Sequence, residues 1–169
     1  AFNAITTHGK YEAWRDEAIE CRSHNLTARI VISASFAAPL VEPLGVLPFF
    51  VHLWSMGGQS GTGKSVAQMI SAAVWAMPEI GGEFLKSCRS TDTGFEIFAS
   101  FLNSFPMFLD DTQHSKDKRG NPILDIYLLA SGSGKMRSNK SLGISSTPMW
   151  RNCFITSGET PLVSENDAS

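Results

Sequence analysis

VHLWSMGGQSGTGKSVAQMI, residues 51–70, joins an apolar aromatic run to a glycine-rich loop and then to a helical pattern. Inside it, Gly58-Gln59-Ser60-Gly61-Thr62-Gly63-Lys64-Ser65 satisfies every fixed position of G-x-x-x-x-G-K-[ST]. Such glycines let the backbone turn tightly, so that successive N–H groups point inward at phosphate oxygens. A helix opening near Lys64 adds its positive dipole end. In this arrangement Lys64 reaches the β- and γ-phosphates, and the Ser65 hydroxyl ligates Mg²⁺. The competing reading is a flexible Gly/Ser linker. Chance produces the four fixed positions in about one sequence of this size in a hundred, and a strand before the loop with a helix after it lowers that further.

The reading extends outward in both directions. Residues 46–54 form a short buried strand, whose paired part starts at Phe49 because Pro48 cannot donate to a ladder. Upstream, residues 11–24 show helical spacing, with Trp14, Ala18, Ile19 and Cys21 near one face. Asn25 caps a second helix over residues 26–40, which Pro39, Pro43 and Gly45 end. Downstream, residues 64–77 form a helix with Val66, Met69, Ile70, Ala73 and Val74 at core spacing. A further helix spans 92–105, with Phe95, Phe98, Ala99 and Leu102 inward. Residues 106–109 form a strand, 116–121 a charged turn, and 122–131 a helix opened by proline. Residues 132–148 are a basic loop or hairpin, and 151–157 are a last strand. Strands alternating with helices predict an α/β domain with a mostly parallel sheet. The expected division is a helical lead-in over 1–45 packed on a core over 46–169.

Asp110 and Asp111 end the strand FPMFLDD, 46 residues after Lys64, which leaves room for a helix, a strand and a second helix. Behind a phosphate loop this pair is the second nucleotide motif. Asp110 holds Mg²⁺, and Asp111 orients and activates the attacking water. Two adjacent carboxylates need a cation nearby, or one tends to take up a proton. Taken alone, the pair is an ordinary acidic turn. Thr156 or Ser157, ending the last strand, is a candidate for sensing the γ-phosphate; a hydroxyl satisfied by backbone is the other reading. Glu159 and Gln113 are weaker candidates. Arg137, in a Gly/Ser loop with Lys135 and Lys140, suits a neighbouring subunit's γ-phosphate or a nucleic-acid backbone, or is solvated surface; Arg151 is its rival. Ser131-Gly132-Ser133-Gly134-Lys135 only imitates a phosphate loop, since Leu129 and Met136 stand where glycine and a hydroxyl are needed. His8, His24, His52 and His114 show no ligand spacing, and His52 reads as a satisfied core residue.

Composition narrows the class. In 169 residues, 43% are hydrophobic and 18% charged, which suits a packed core and excludes a disordered tail. The formal charge of −2, from 14 basic and 16 acidic side chains, excludes a general basic coat for nucleic acid. Three scattered cysteines form no CxxC pair, so a reducing cytoplasm is expected. No stretch has the ~18 uninterrupted apolar residues of a membrane span. The chain begins at Ala1 without Met or a signal peptide, and is expected to be a piece of a longer protein.

The motifs resemble a known family, catalogued as domain of unknown function 927. The matching pieces are AW at 13–14, AAPL at 37–40, VHLW followed by GGQSGTGKS, FLDDTQ at 108–113, IYLLASGSGKMR at 126–137 and WRNCFITSGE at 150–159. They cover most of the chain in order. The resemblance implies an AAA+-like (ASCE-type) three-layer P-loop ATPase core from phage, plasmid and chromosomal-cassette replication proteins, which are similar to replicative helicases or primase-helicases. It implies ATP and Mg²⁺ as ligands, DNA as partner and a homo-oligomeric ring. Many relatives carry Glu where Asp111 stands, and the shorter arm implies slower hydrolysis. The helical lid and second sensor of an AAA+ module do not occur before Ser169. The expected function is therefore ATP hydrolysis coupled to movement on DNA. Its rivals are a nucleotide-gated binding or assembly module with little turnover, and a small-molecule P-loop kinase.

Overall fold

The computed structural model describes residues 2–59, 61–114, 124–136 and 146–163. Two helices lead in. Helix α1 (Tyr11–His24) and helix α2 (Leu26–Ala37) are split at Asn25, which is extended at φ −134° and ψ 116°. The Asn25 side chain accepts a hydrogen bond from Ala28 N at 3.1 Å, satisfying one of the unpaired donors of the new helix. Of α1 only Ala18 is buried, and Ile19, expected inward, is 58% exposed. The reason is that α2 is the main packing neighbour of α1 among the described elements, and one neighbour covers only a narrow stripe. Helix α2 packs on both α3 and β4, and buries Val31, Ile32, Ala34 and Ser35. It gives way at Ala38–Leu40 to a 3-10 turn holding Pro39.

Four parallel strands form the sheet: β1 (Phe49–Leu53), β2 (Leu85–Ser87), β3 (Met107–Asp110) and β4 (Cys153–Ser157), in the order β1-β4-β3-β2. Helix α3 (Lys64–Ala72) carries the chain from β1 at one edge to β2 at the other. Helix α4 (Asp92–Phe101) then steps back to β3. Right-handed crossovers in opposite directions put these two helices on opposite faces, which makes the three layers. The sheet position explains burial. β4, with neighbours on both sides, is buried at all five residues, whereas β1 stands at an edge and is mostly half-buried rather than buried as expected. Phe50 and Phe154 stack across the β1–β4 pair at 4.6 Å between ring centroids.

Several boundaries differ from the sequence expectation. The strand between Lys64 and Asp110 is only three residues long, too short for a periodicity to show. On α3 the buried face is Ala67, Gln68, Ser71 and Ala72, while Val66 is 58% exposed. Small residues there let the helix approach the strand ends closely. Helix α4 is capped by Thr91, whose hydroxyl accepts from Gly94 N at 3.2 Å, and it stops before Phe105 in a turn where Ser104 takes φ 69°. Helix α5 (Ile126–Ser131) is opened by Asp125, whose carboxylate accepts from Leu128 N at 2.9 Å. Pro122, and the charged turn over 116–121, lie outside the described residues. After α5, Gly132 at φ 76° turns the chain, and an antiparallel bridge of Ser133 with Met149 closes the base of the 132–148 segment. Trp150, 1% exposed, anchors it by donating from Nε1 to Leu129 O at 2.8 Å.

Candidate nucleotide site

β1 delivers its carboxyl end to the glycine-rich loop, and α3 starts at Lys64. Gly61 and Gly63 take φ of 76° and 85°, a left-handed conformation that disfavours any residue with a Cβ, and Gly63 is the N-cap of α3. Ser60 lies outside the described residues. The Lys64 ammonium is drawn back over the loop. It donates to Gln59 O at 2.9 Å and to Ser55 Oγ and Thr62 Oγ1, each at 3.3 Å.

Strand register decides what meets this loop. β4 lies between β1 and β3, so its last residues come between the loop and the acid pair. Leu109 pairs with Thr156, so Asp110 comes beside Ser157 on the same face of the sheet. Ser157 Oγ donates to Asp110 Oδ1 at 2.5 Å and accepts from Asp111 N at 3.1 Å. Ser65 Oγ reaches the same Asp110 oxygen at 3.3 Å. Asp111 sits at φ 60°, a left-handed conformation that Asp and Asn adopt more readily than other non-glycine residues. Lys64, Ser65, Asp110, Asp111 and Ser157 line one cavity of about 360 Å³, together with Gln113, Gly158 and Glu159.

Thr156 is turned away. Alternation sends it to the opposite face, where it pairs with His52 in register. His52 Nε2 lies 2.9 Å from the Thr160 carbonyl, which can only accept, so Nε2 carries the proton. Nδ1, 2.8 Å from Thr156 Oγ1, then accepts from the hydroxyl. Thr156 is thus a hydroxyl satisfied within the fold, and His52 is the satisfied residue expected. Burial lowers the His52 pKa from its ordinary 6.5; the Thr160 carbonyl opposes this and the nearby Lys64 charge adds to it. A base with a lowered folded pKa binds fewer protons folded than unfolded. Its contribution to stability is therefore present above pH 6.5 and lost as pH falls below it. Urea melts from pH 7.5 downward are expected to show this fall, and His52→Gln a shallower one; equal slopes would remove His52 as its source.

Two further residues escaped sequence reasoning. Gln68 is fully buried, and its Nε2 donates to Leu109 O and Ile155 O, each at 3.1 Å, tying α3 to both central strands just before their acidic and hydroxyl ends. A single glutamine on an apolar helix face gives no periodic signal. At Gly158, a Cβ would stand 2.5 Å from Thr112 Oγ1 and 3.0 Å from His52 Cε1, so only glycine lets the chain leave β4 so closely. Of the arginines, Arg137 lies outside the described residues. Arg151 precedes β4, at the opposite end of the sheet from Ser157, and its Nη1 donates to Trp150 O at 2.9 Å and Gly132 O at 3.3 Å. Lys135 pairs with Asp92 at 3.3 Å.

The donor set suits Mg²⁺. Ser65 and Asp110 offer hard oxygen ligands that converge, and Mg²⁺ is usually held by one or two carboxylates with phosphate oxygens and waters. Among the described residues no cluster of three or more His, Cys, Asp or Glu side chains forms a dedicated metal cage. None of their helices is long and apolar enough to cross a membrane.

The family described as "Domain of unknown function (DUF927)" matches residues 1–147. No curated protein matches the chain. Among solved structures, a chain described as "SCCmec type IV Cch - active helicase" is similar with a TM-score of 0.63 and 19% identity. That alignment covers 94% of this chain and 28% of the helicase, so this chain spans little more than a quarter of that protein's length. At such identity the likeness establishes the α/β fold.

Proposed function

From the premise that this chain belongs to the DUF927 family, we propose that it is an ATP-binding and ATP-hydrolysing domain which drives movement on DNA within a longer mobile-element replication protein. The convergence of Lys64, Ser65, Asp110, Asp111 and Ser157 on one cavity at the start of α3 carries the reading. Backbone N–H groups of the loop and the N-terminus of α3 receive the phosphates, with the Lys64 ammonium over the β- and γ-oxygens. Ser65 and Asp110 would hold Mg²⁺, which when bound neutralises charge on the β- and γ-phosphates. Asp111 orients the attacking water and takes its proton. Ser157 fixes both acids, bonding the carboxylate of the first and the backbone N–H of the second.

DNA as partner, a ring of subunits and action of Arg137 across a subunit boundary remain parts of this proposal. The helicase likeness and the basic residues Lys135, Arg137 and Lys140 support them. One observation favours a second reading, a nucleotide-gated switch with little turnover: the short Asp111 side chain is borne on a left-handed backbone. Phosphate release by the longer protein, measured with and without single- and double-stranded DNA, separates the two. The motor predicts Mg²⁺-dependent turnover that DNA accelerates. Tight ATP binding with turnover indifferent to DNA selects the switch, and transfer to a small acceptor would select a kinase.

A further inference from the structure

Among the described residues, three buried side-chain oxygens have no hydrogen-bond donor: Gln68 Oε1, Asn152 Oδ1 and Gln113 Oε1. The first two belong to amides tied down through their nitrogens, Gln68 by Leu109 O and Ile155 O, and Asn152 by Phe105 O. Gln113 differs in place. Of the three it alone lines the candidate nucleotide cavity, together with Asp111, Ser157 and Gly158. It stands on the 3-10 turn Thr112–His114 that follows the acid pair. The chain leaving β4 comes close to it, since a Cβ at Gly158 would stand 3.1 Å from Gln113 Oε1. A buried amide oxygen without a donor destabilises a fold, so one held at a cavity wall points to a donor among the cavity's contents.

The chemistry of those contents narrows the donor. Donors of the cavity wall are committed elsewhere: Lys64 to Gln59 O, Ser65 and Ser157 to Asp110, Asp111 N to Ser157, and Gly158 N to Leu53 O at 2.9 Å. A γ-phosphate presents acceptor oxygens, which repel a carbonyl rather than satisfy it. The ribose hydroxyls and base amines lie at the other end of the triphosphate. What remains beside the γ-phosphate with a hydrogen to give is water. We infer that Gln113 Oε1 accepts one hydrogen of the attacking water while Asp111 accepts the other, so that a lone pair of the water is aimed at the γ-phosphorus. As the water oxygen bonds to that phosphorus, the bond to the β–γ bridging oxygen breaks and its electron pair leaves on ADP. One proton passes to Asp111, and the hydrogen held by Gln113 stays on the phosphate formed. An amide takes up no proton, so Gln113 orients the water and Asp111 remains the base. This role rests on the nucleotide-site reading above and adds a second hold on the water beside the short Asp111 arm.

The test uses Gln113→Met, which keeps the length but offers only a weakly accepting sulfur, and Gln113→Asn, which keeps the amide but withdraws it. In the longer protein each is expected to lose at least ~30-fold in kcat for phosphate release, with the Kd of Mg·ATP within ~2-fold of the parent. The 169-residue Gln113→Met chain is expected to melt at or above the parent temperature, because the unpaired acceptor is gone. Parent-like kcat in both variants overturns the inference. So does a loss of Mg·ATP affinity that matches the loss of kcat, which would put the side chain on the nucleotide itself. A Gln113→Met chain melting well below the parent also overturns it, by giving the oxygen a donor within the fold, as does a parent that binds Mg·ATP without hydrolysing it. Failure of the underlying reading looks different: Lys64→Ala then keeps parent-like Mg·ATP affinity. Where Lys64→Ala does lose ATP and the Gln113 variants turn over normally, only the water-holding role falls.

Discussion

Lys64→Ala is expected to weaken ATP binding by about 2–5 kcal/mol, or roughly 30- to 5,000-fold in Kd, while the melting temperature stays near that of the parent. The asymmetry follows from what the ammonium touches. Among the described residues its hydrogen bonds go to oxygens of the loop and its approach, on Ser55, Gln59 and Thr62. The side chain is half-buried at the mouth of the cavity and lies outside the hydrophobic core. Losing it therefore costs the fold little. A bound polyphosphate, by contrast, loses its principal countercharge in a pocket where the remaining donors are neutral N–H groups. Calorimetry with Mg·ATP, paired with a thermal melt, reads both quantities. Parent-like affinity in the variant would show that Gly58 to Ser65 is not a phosphate loop.

The second large effect separates the two acids. In the longer protein, Asp111→Asn is expected to bind Mg·ATP as the parent does but to lose turnover by roughly 10²–10⁴-fold, the usual worth of a positioned general base. Asparagine is the informative substitution because it tolerates the φ of 60° found at Asp111. Alanine would add about 1–2 kcal/mol of backbone strain and confuse the readout. Asp110→Asn should instead act on the metal. Its carboxylate receives the Ser65 and Ser157 hydroxyls, and an amide keeps an oxygen for them while removing the charge that attracts Mg²⁺. The expected result is a reduced Mg²⁺-dependent gain in ATP affinity. Normal turnover in Asp111→Asn, or an unchanged Mg²⁺ dependence in Asp110→Asn, would reverse or dissolve the assigned roles.

The chain's local chemistry made a good part of this site legible. The glycine-rich loop depends on glycines and a helix start within eight consecutive residues, and its conformation follows from residues in contact along the chain. Strands ending in acids or hydroxyls, a capping Asn25 and the α/β alternation are likewise short-range patterns, and the family resemblance added their order. What eluded sequence reading depends on register and on which element lies beside which. Whether Thr156 or Ser157 meets Asp110 is a question of parity, answered only when Leu109 pairs with Thr156. Gln68 is buried and Val66 exposed because of where α3 sits over the strand ends and beside the lead-in helices, a placement that apolar spacing along one helix does not encode. β2 exists because β3 offers it a ladder, not because three residues have a strand pattern of their own. The sequence by itself determined that a glycine-rich loop opening a helix sits on an α/β frame. The tertiary structure alone decided the insertion of β4 between β1 and β3, and with it which side chains face that loop, because a sheet's neighbours are chosen by packing across the whole chain.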